Sequence, residues 1–275
     1  MNSARRTAFI ISDRTGITAE TMAQTLLTQF DDIHFEQVHI PFINTVEKAD
    51  QAIVRLIESA QQTGQKPLVF GTVIDDDIRQ MFQRSEFCYM DFIDRFISPL
   101  ERELGARSNH TVGKAHGGVS SASYKARIEA MHYALENDDG AILKNYDKAD
   151  VIMIGISRSG KTPTCLYLAL HFGIFAANYP ITEEDMDNSE LPSHLEQYRR
   201  KLYALSIDPE KLSQIRSERR ANSRYASIKQ CEMEVRTAER FYRDANLPFI
   251  NSTTTSIEEI ATRVVQELKL TRRFF

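Results

Sequence analysis

Residues 151–162 restrict this chain more than any other stretch: Val151-Ile152-Met153-Ile154-Gly155-Ile156-Ser157-Arg158-Ser159-Gly160-Lys161-Thr162. The four apolar residues 151–154 read as a short strand buried on both faces, and 164–172 reads as a helix. Between them, Gly155, four further residues, Gly160, Lys161 and Thr162 form the phosphate-loop pattern G-x-x-x-x-G-K-[ST]. Each residue type has a physical task there. Glycine lets the backbone bend so that successive N–H groups face phosphate oxygens, and the new helix adds the positive end of its dipole. Lys161 reaches the terminal phosphates, and the Thr162 hydroxyl can hold a magnesium ion. Pro163 suits a first helical turn, where its missing N–H costs little. At ordinary residue frequencies the pattern arises by chance in roughly one chain in a hundred of this length. The expected nucleotide-binding set is therefore Gly155, Ile156, Ser157, Arg158, Ser159, Gly160, Lys161 and Thr162, with Lys161 also catalytic.

The rest of the chain repeats an α/β rhythm. An apolar run at 8–11 precedes a helix with Ala19, Met22, Ala23, Leu26, Leu27 and Phe30 on one face. A strand at 35–40, a helix facing inward through Val46, Ala49, Ile53, Ile57 and Ala60, and a strand at 67–71 follow. Residues 75–104 read as helical, with an aromatic-rich core stripe of Met81, Phe82, Phe92, Ile93, Phe96 and Ile97. Glycine- and serine-rich residues 105–123 read as a loop or connection, and Tyr124, Ile128, Met131 and Leu135 mark another helix face. Beyond the phosphate loop, strands are expected at 173–178, 202–207 and 247–251, with a long polar helix at 228–246. Ser256 and Glu259 have the spacing of a capping box. No internal repeat is visible. The expected fold class is α/β: an N-terminal parallel α/β domain (1–105), a connecting loop and helix (106–148), and a C-terminal phosphate-loop α/β domain (149–275).

Composition narrows the function further. The 275 residues carry a net charge of −4 with both signs dispersed, so no global field recruits nucleic acid or an anionic membrane. No apolar run approaches a spanning helix, and the polar start with its short apolar run does not read as a signal peptide. The three cysteines, Cys88, Cys165 and Cys231, are far apart and show no metal-type pairing, as expected of reduced thiols in a cytoplasmic protein. Cys165 is expected to pack.

Several polar groups remain open to more than one reading. Asp13, in the hydroxyl-rich segment 12–18 where an apolar strand ends, suits a general base, a metal partner or a helix-capping acid. His110 and His116 are acid/base groups, phosphate contacts or surface residues, and Asn137-Asp138-Asp139-Gly140 is a helix stop or something more. Acidic residues 183–187 read as a solvated helix start. Asp208, ahead of Pro209, caps a helix or helps hold magnesium. Arg216, Arg219, Arg220 and Arg224 cluster closely enough to close over phosphates, or to join an ordinary surface network.

Together these segments resemble one family: the phosphoenolpyruvate synthase regulatory proteins, bifunctional kinase and pyrophosphorylase enzymes related to the plant regulator of pyruvate, phosphate dikinase. The matching stretches are Ile11-Ser12-Asp13-Arg14-Thr15-Gly16-Ile17-Thr18-Ala19-Glu20, the Asp138-Asp139-Gly140 turn and residues 155–163. Ala177-Asn178-Tyr179-Pro180, Ser206-Ile207-Asp208-Pro209-Glu210, Asn222-Ser223-Arg224-Tyr225 and Ser256-Ile257-Glu258-Glu259 match too, so nearly the whole chain is covered. The resemblance implies a serine/threonine protein kinase that uses ADP as phosphoryl donor on a threonine of phosphoenolpyruvate synthase. It also implies removal of that phosphate by inorganic phosphate, with release of pyrophosphate. The phosphorylated histidine then belongs to the partner, so His110 and His116 are not assigned as phosphocarriers. Asp13, expected across an interdomain cleft, is the candidate for orienting the threonine hydroxyl. Magnesium, an oligomer and a cytoplasmic location are compatible with this reading. From the residues without the resemblance, a small-metabolite kinase and a non-catalytic nucleotide-sensing module remain open.

Overall fold

The computed structural model describes residues 4–109, 121–138, 143–187 and 191–273. Contacts gather the chain into two compact units, Met1–Gly118 and Val119–Phe275, each an α/β layer structure around a four-stranded parallel sheet.

In the first unit, β1 (Ala4–Ser12), β2 (Ile33–Ile40), β3 (Leu68–Thr72) and β4 (Cys88–Asp91) lie in the order β2-β1-β3-β4, all parallel. Helices α1 (Ile17–Leu27), α2 (Val46–Thr63), α3 (Asp76–Gln83) and α4 (Asp94–Leu104) connect and follow them. Alternation along β1 sorts the core into two faces. Ala8 and Ile10 pack with Ala19, Ala23 and Leu27 of α1, while Phe9 and Ile11 pack with α2 and α3 through Ala49, Leu56, Ile78 and Phe82. The strand order therefore changes direction between β1 and β3, the switch point at which open parallel sheets leave a crevice beyond the carboxyl ends.

The second unit repeats this order as β6-β5-β7-β8, with β5 (Val151–Gly155), β6 (Ala176–Pro180), β7 (Leu202–Ser206) and β8 (Phe249–Asn251), again all parallel. Its helices are α5 (Ser121–Glu136), α6 (Lys161–Phe172), α7 (Glu183–Asp187), α8 (Ser193–Glu196), α9 (Pro209–Arg219), α10 (Ile228–Asp244) and α11 (Ile257–Glu267). Every residue of β5 is buried. Val151 and Met153 face Cys165, Leu168, Ile260 and Val264; Ile152 and Ile154 face Leu212, Val235 and Tyr242.

Several expectations need correction. Residues 75–104 are not one helical stretch: β4 interrupts them, four residues too short to show a period of two against the helical signals on either side. Phe82 and Phe92 are core, but α4 buries none of its residues and Phe96 is 59 % exposed. Phe30 falls beyond the end of α1 and, like Leu26, is exposed. Val46 and Ile57 are also exposed; Ala49 is buried as expected, Ile53 and Ala60 pack against the core, and Ala52 and Leu56 join it. On α5 the inward line is Ala130, Tyr133 and Ala134, continued by Asn137 just past its end, leaving Tyr124 and Leu135 exposed. On α1, α2 and α5 buried alanines let the helix approach its neighbours, and bulkier residues remain on the outer side. His110 and His116 lie outside the described residues.

The capping box forms as expected. Ser256 Oγ accepts from the Glu259 N–H at 3.2 Å, and Glu259 Oε2 accepts from the Ser256 N–H at 3.0 Å. Ser256→Ala should cost about 1 kcal/mol of unfolding free energy, read from denaturant midpoints at unchanged slope; an unchanged midpoint would mean that α11 is held by its apolar face alone.

Candidate functional site: the loop between β5 and α6

The loop is shaped first by close approach. A Cβ on Gly155 would lie 2.8 Å from the Leu205 carbonyl of the neighbouring strand and 2.8 Å from Ser159 Oγ, so only glycine fits. Two residues then take left-handed conformations, Arg158 (φ 74°) and Gly160 (φ 97°). For arginine this is a strained state, of the kind that persists where surrounding contacts enforce it. Alternation of ordinary and left-handed residues turns successive N–H groups to one side, the geometry of an anion-binding nest. Helix α6 starts directly afterwards, at Lys161, with Gly160 as N-cap and no side-chain cap.

Side chains hold the loop from several directions. Lys161 is buried and its ammonium donates to the Ile156 carbonyl at 2.9 Å. The Ser252 hydroxyl, just beyond β8, lies 2.9 Å from the Ser159 carbonyl and 3.0 Å from that of Ser206, and shares its proton between them. Arg216 donates to the Ser157 carbonyl at 3.1 Å. Ser159 Oγ is buried without a hydrogen-bond partner among the described residues, packed close to Gly155.

Opposite the loop stands a small polar cluster. The Asn178 N–H donates to the Asn137 carbonyl at 2.9 Å, tying the end of α5 to β6. That tie sets Asp138 beside α6, where Thr162 donates to Asp138 Oδ1 at 2.9 Å. The Asn178 side-chain amide donates to the same carboxylate oxygen at 2.5 Å and to Thr162 Oγ1 at 3.2 Å. A cavity of about 530 Å³ lies between, lined by Asp138, Ser157, Arg158, Lys161, Thr162, Asn178 and Arg219 among others. Its size and polar lining suit a small charged ligand.

Of the eight loop residues named from the sequence, Ser157, Arg158, Gly160, Lys161 and Thr162 line the cavity, whereas Gly155, Ile156 and Ser159 are buried and do not. The arginine cluster divides. Arg219 lines the cavity, but Arg216 is 1 % exposed and paired with Glu234 at 2.7 Å, so it does not face a ligand. Asp208 caps α9, accepting from the N–H groups of Glu210 and Lys211 at 2.9 and 3.3 Å. Cys165 is buried, and burial pushes its thiol well above the usual range, as befits a packing residue. Of the two readings of residues 137–140, the structure favours the one beyond a helix stop for Asp138. Asn178, Ser252 and the part played by Arg216 are not evident from the residues, and the only signal for Asn178 is the stretch that carries the family resemblance. Among the described residues no cluster of three or more His, Cys, Asp or Glu could hold a metal, but Thr162 and Asp138 together offer the hard oxygen donors that magnesium favours.

Asp13 belongs to the first unit, at the crevice between β1 and β3. It does not cap α1, whose N-cap is Gly16. It is 4 % exposed, and Oδ2 accepts from the Ile74 N–H at 3.0 Å. Beside it, Thr72 donates to Ser12 Oγ at 3.1 Å. Burial raises the Asp13 carboxyl above its ordinary 3.8, opposed by the Ile74 hydrogen bond and the Arg14 charge.

A parallel sheet with a glycine-bounded loop leading from its buried central strand into a helix defines a class, the phosphate-loop α/β proteins. The comparisons narrow that class: residues 8–265 match the kinase/pyrophosphorylase family, and the chain belongs to it. It is 50 % identical over 275 residues to a protein of Alkalilimnicola ehrlichii, covering all of both chains. It is 51 % identical over 261 residues to one of Hahella chejuensis, covering 95 % of this chain and 96 % of that one. A Pseudomonas aeruginosa protein is 50 % identical over 270 residues, 98 % of each. All three are named, provisionally, as phosphoenolpyruvate synthase regulatory proteins. Membership of the family supports a phosphotransferase-type activity. Among the described residues no helix is long and apolar enough to cross a membrane.

A carboxyl whose folded pKa is raised contributes stability that is full below the unfolded value and lost as pH rises through the folded one. Ionised Asp13 is therefore a liability at neutral pH. Asp13→Asn, which can still accept from the Ile74 N–H, should raise the melting temperature at pH 7, with the gap to the parent closing as pH falls through the carboxylate range. A variant that melts lower at pH 7 would assign the ionised carboxylate a stabilising role.

Proposed function

We propose that this protein is an ADP-dependent serine/threonine protein kinase and phosphate-dependent pyrophosphorylase that inactivates and reactivates phosphoenolpyruvate synthase. The observation that carries the reading is one strained, side-chain-braced loop with a buried ammonium, in a chain belonging throughout to the kinase/pyrophosphorylase family. Its relatives' names supply the target.

With ADP in the loop, the β-phosphoryl is the terminal group and lies where Lys161 and the loop N–H groups exert their charge. In the forward reaction a bond forms between the threonine oxygen of the target and Pβ. The bridging bond from Pβ to the α-phosphate oxygen breaks, AMP departs, and the threonine proton passes to a base. Asp13 is the candidate base: a desolvated carboxylate is a stronger proton acceptor than a solvated one. In the return reaction an oxygen of inorganic phosphate attacks the phosphothreonine phosphorus. The threonine oxygen leaves and is reprotonated, and the product is pyrophosphate. Both directions place two linked phosphates in one cradle, so a single site serves both. Arg219 adds charge at the cavity wall. Magnesium, when bound, neutralises phosphate charge, and Thr162 with Asp138 would hold it. The protein contributes mainly position and electrostatics, as phosphoryl transfer demands. The same reading places the protein in the cytoplasm with its target.

Incubation of the pure chain with ADP and the phosphohistidine form of the synthase should yield AMP and phosphothreonine on the synthase. ATP-dependent phosphorylation of a metabolite instead would favour a small-molecule kinase, and nucleotide binding without turnover a sensing module. Lys161→Ala should lower both reactions by at least about a hundredfold, since it removes a charge-assisted contact to the group in flight; retained phosphorolysis would contradict a shared cradle. Asp13→Asn should lose phosphorylation while keeping ADP affinity within about twofold, measured by calorimetry, and a parallel fall in affinity would remove Asp13 from the chemistry.

A further inference from the structure

A trans peptide unit is planar, and its carbonyl and N–H point in opposite directions. Among the described residues no peptide bond is cis. Whatever grips a loop carbonyl therefore also aims the next N–H. In residues 156–159 three carbonyls are gripped by side chains: Ile156 by Lys161, Ser157 by Arg216 and Ser159 by Ser252. Only the first of these side chains belongs to the phosphate-loop motif.

We propose that Arg216 is a positioning residue for the phosphate cradle: by holding the Ser157 carbonyl it turns the Arg158 N–H to the opposite side, toward the ligand. The proposal rests on the reading of residues 155–162 as a phosphate site and adds to it a determinant from α9. Four further contacts fix the guanidinium so that it can act as a rigid peg. Glu234 Oε2 accepts from the same Nη2 at 2.7 Å, and the Tyr225 carbonyl accepts from Nη1 at 3.1 Å. The guanidinium stacks on the Tyr225 ring, 4.1 Å from its centroid, and Cys231 Sγ lies 3.9 Å from Nη1. The Tyr225 hydroxyl closes the circuit at 2.9 Å from Ser157 Oγ, so Ser157 is gripped at both its carbonyl and its side chain. Glu234 neutralises the charge, which leaves Arg216 to act through geometry and not as a phosphate ligand. The planar fork is essential, because one rigid group must serve Ser157, Tyr225 and Glu234 in fixed directions; an ammonium is a point charge on a flexible stem. The brace also accounts for Arg158, whose left-handed backbone follows directly after the gripped carbonyl.

Binding of pyrophosphate and of adenosine to the full chain, followed by ligand-observed NMR titration, separates aim from general integrity. Arg216→Lys should weaken pyrophosphate binding by about tenfold or more while adenosine binding stays within about twofold. Tyr225→Phe removes one hydroxyl from a partly exposed ring and keeps the stack, so it should show the same selective loss at roughly two- to fivefold. If Arg216→Lys fails to fold, Tyr225→Phe carries the test alone. Unchanged pyrophosphate binding in both variants, or equal loss of both ligands, overturns the assignment to Arg216. Absence of pyrophosphate binding by the parent chain would instead remove the phosphate cradle itself, and the brace with it.

Discussion

The second unit depends on the contact between Gly155 and the Leu205 carbonyl. Strand β5 is buried along its whole length, so its exit point is fixed by the sheet. The absent side chain at Gly155 lets the chain pass β7 at a distance no Cβ would tolerate, and that sets where the loop begins. From there the loop has few degrees of freedom. Its far end is fixed by α6, which packs Cys165, Leu168 and Ala169 into the core. Between these fixed ends, Lys161, Arg216 and Ser252 decide the orientation of individual peptide planes. Core packing thus reaches the site through main-chain geometry, which also explains how an arginine is kept at positive φ.

The first unit presents the opposite chemistry at the equivalent place. Its sheet has the same strand order, and the crevice beyond β1 and β3 holds a buried carboxylate with hydroxyls nearby, where the crevice beyond β5 and β7 holds N–H groups and an ammonium. One arrangement suits accepting a proton and the other suits gripping phosphate. No sequence repeat accompanies the repeated order. Strand order follows from the direction in which each crossover connection turns, and helices of quite different composition, such as α1 and α6, can make the same turn.

Legibility followed the range of the interactions involved. The loop, its strand and its helix were readable because their requirements are local: glycine at both ends, four buried apolar residues before, helix formers after. The Ser256–Glu259 box and the Asp208–Pro209 helix start were readable for the same reason. Faces of α1, α2 and α5 were only half legible: Ala19, Ala23 and Ala49 read as inward and are, but close packing also selected Ala52 and Ala130 while the bulkier Leu26, Val46 and Leu135 stayed exposed. Strand β4 was illegible at four residues. Asp138, Ser252 and Arg216 act on the loop from 24, 93 and 59 residues away along the chain, distances at which spacing carries no signal.

The hydrogen bond from Lys161 to the Ile156 carbonyl has a consequence for affinity. That bond engages one of the ammonium's three protons and fixes its direction, so a phosphate in the loop meets a charge already held in place. An ammonium aimed in advance gives up less freedom on meeting an anion than one swinging on an open stem.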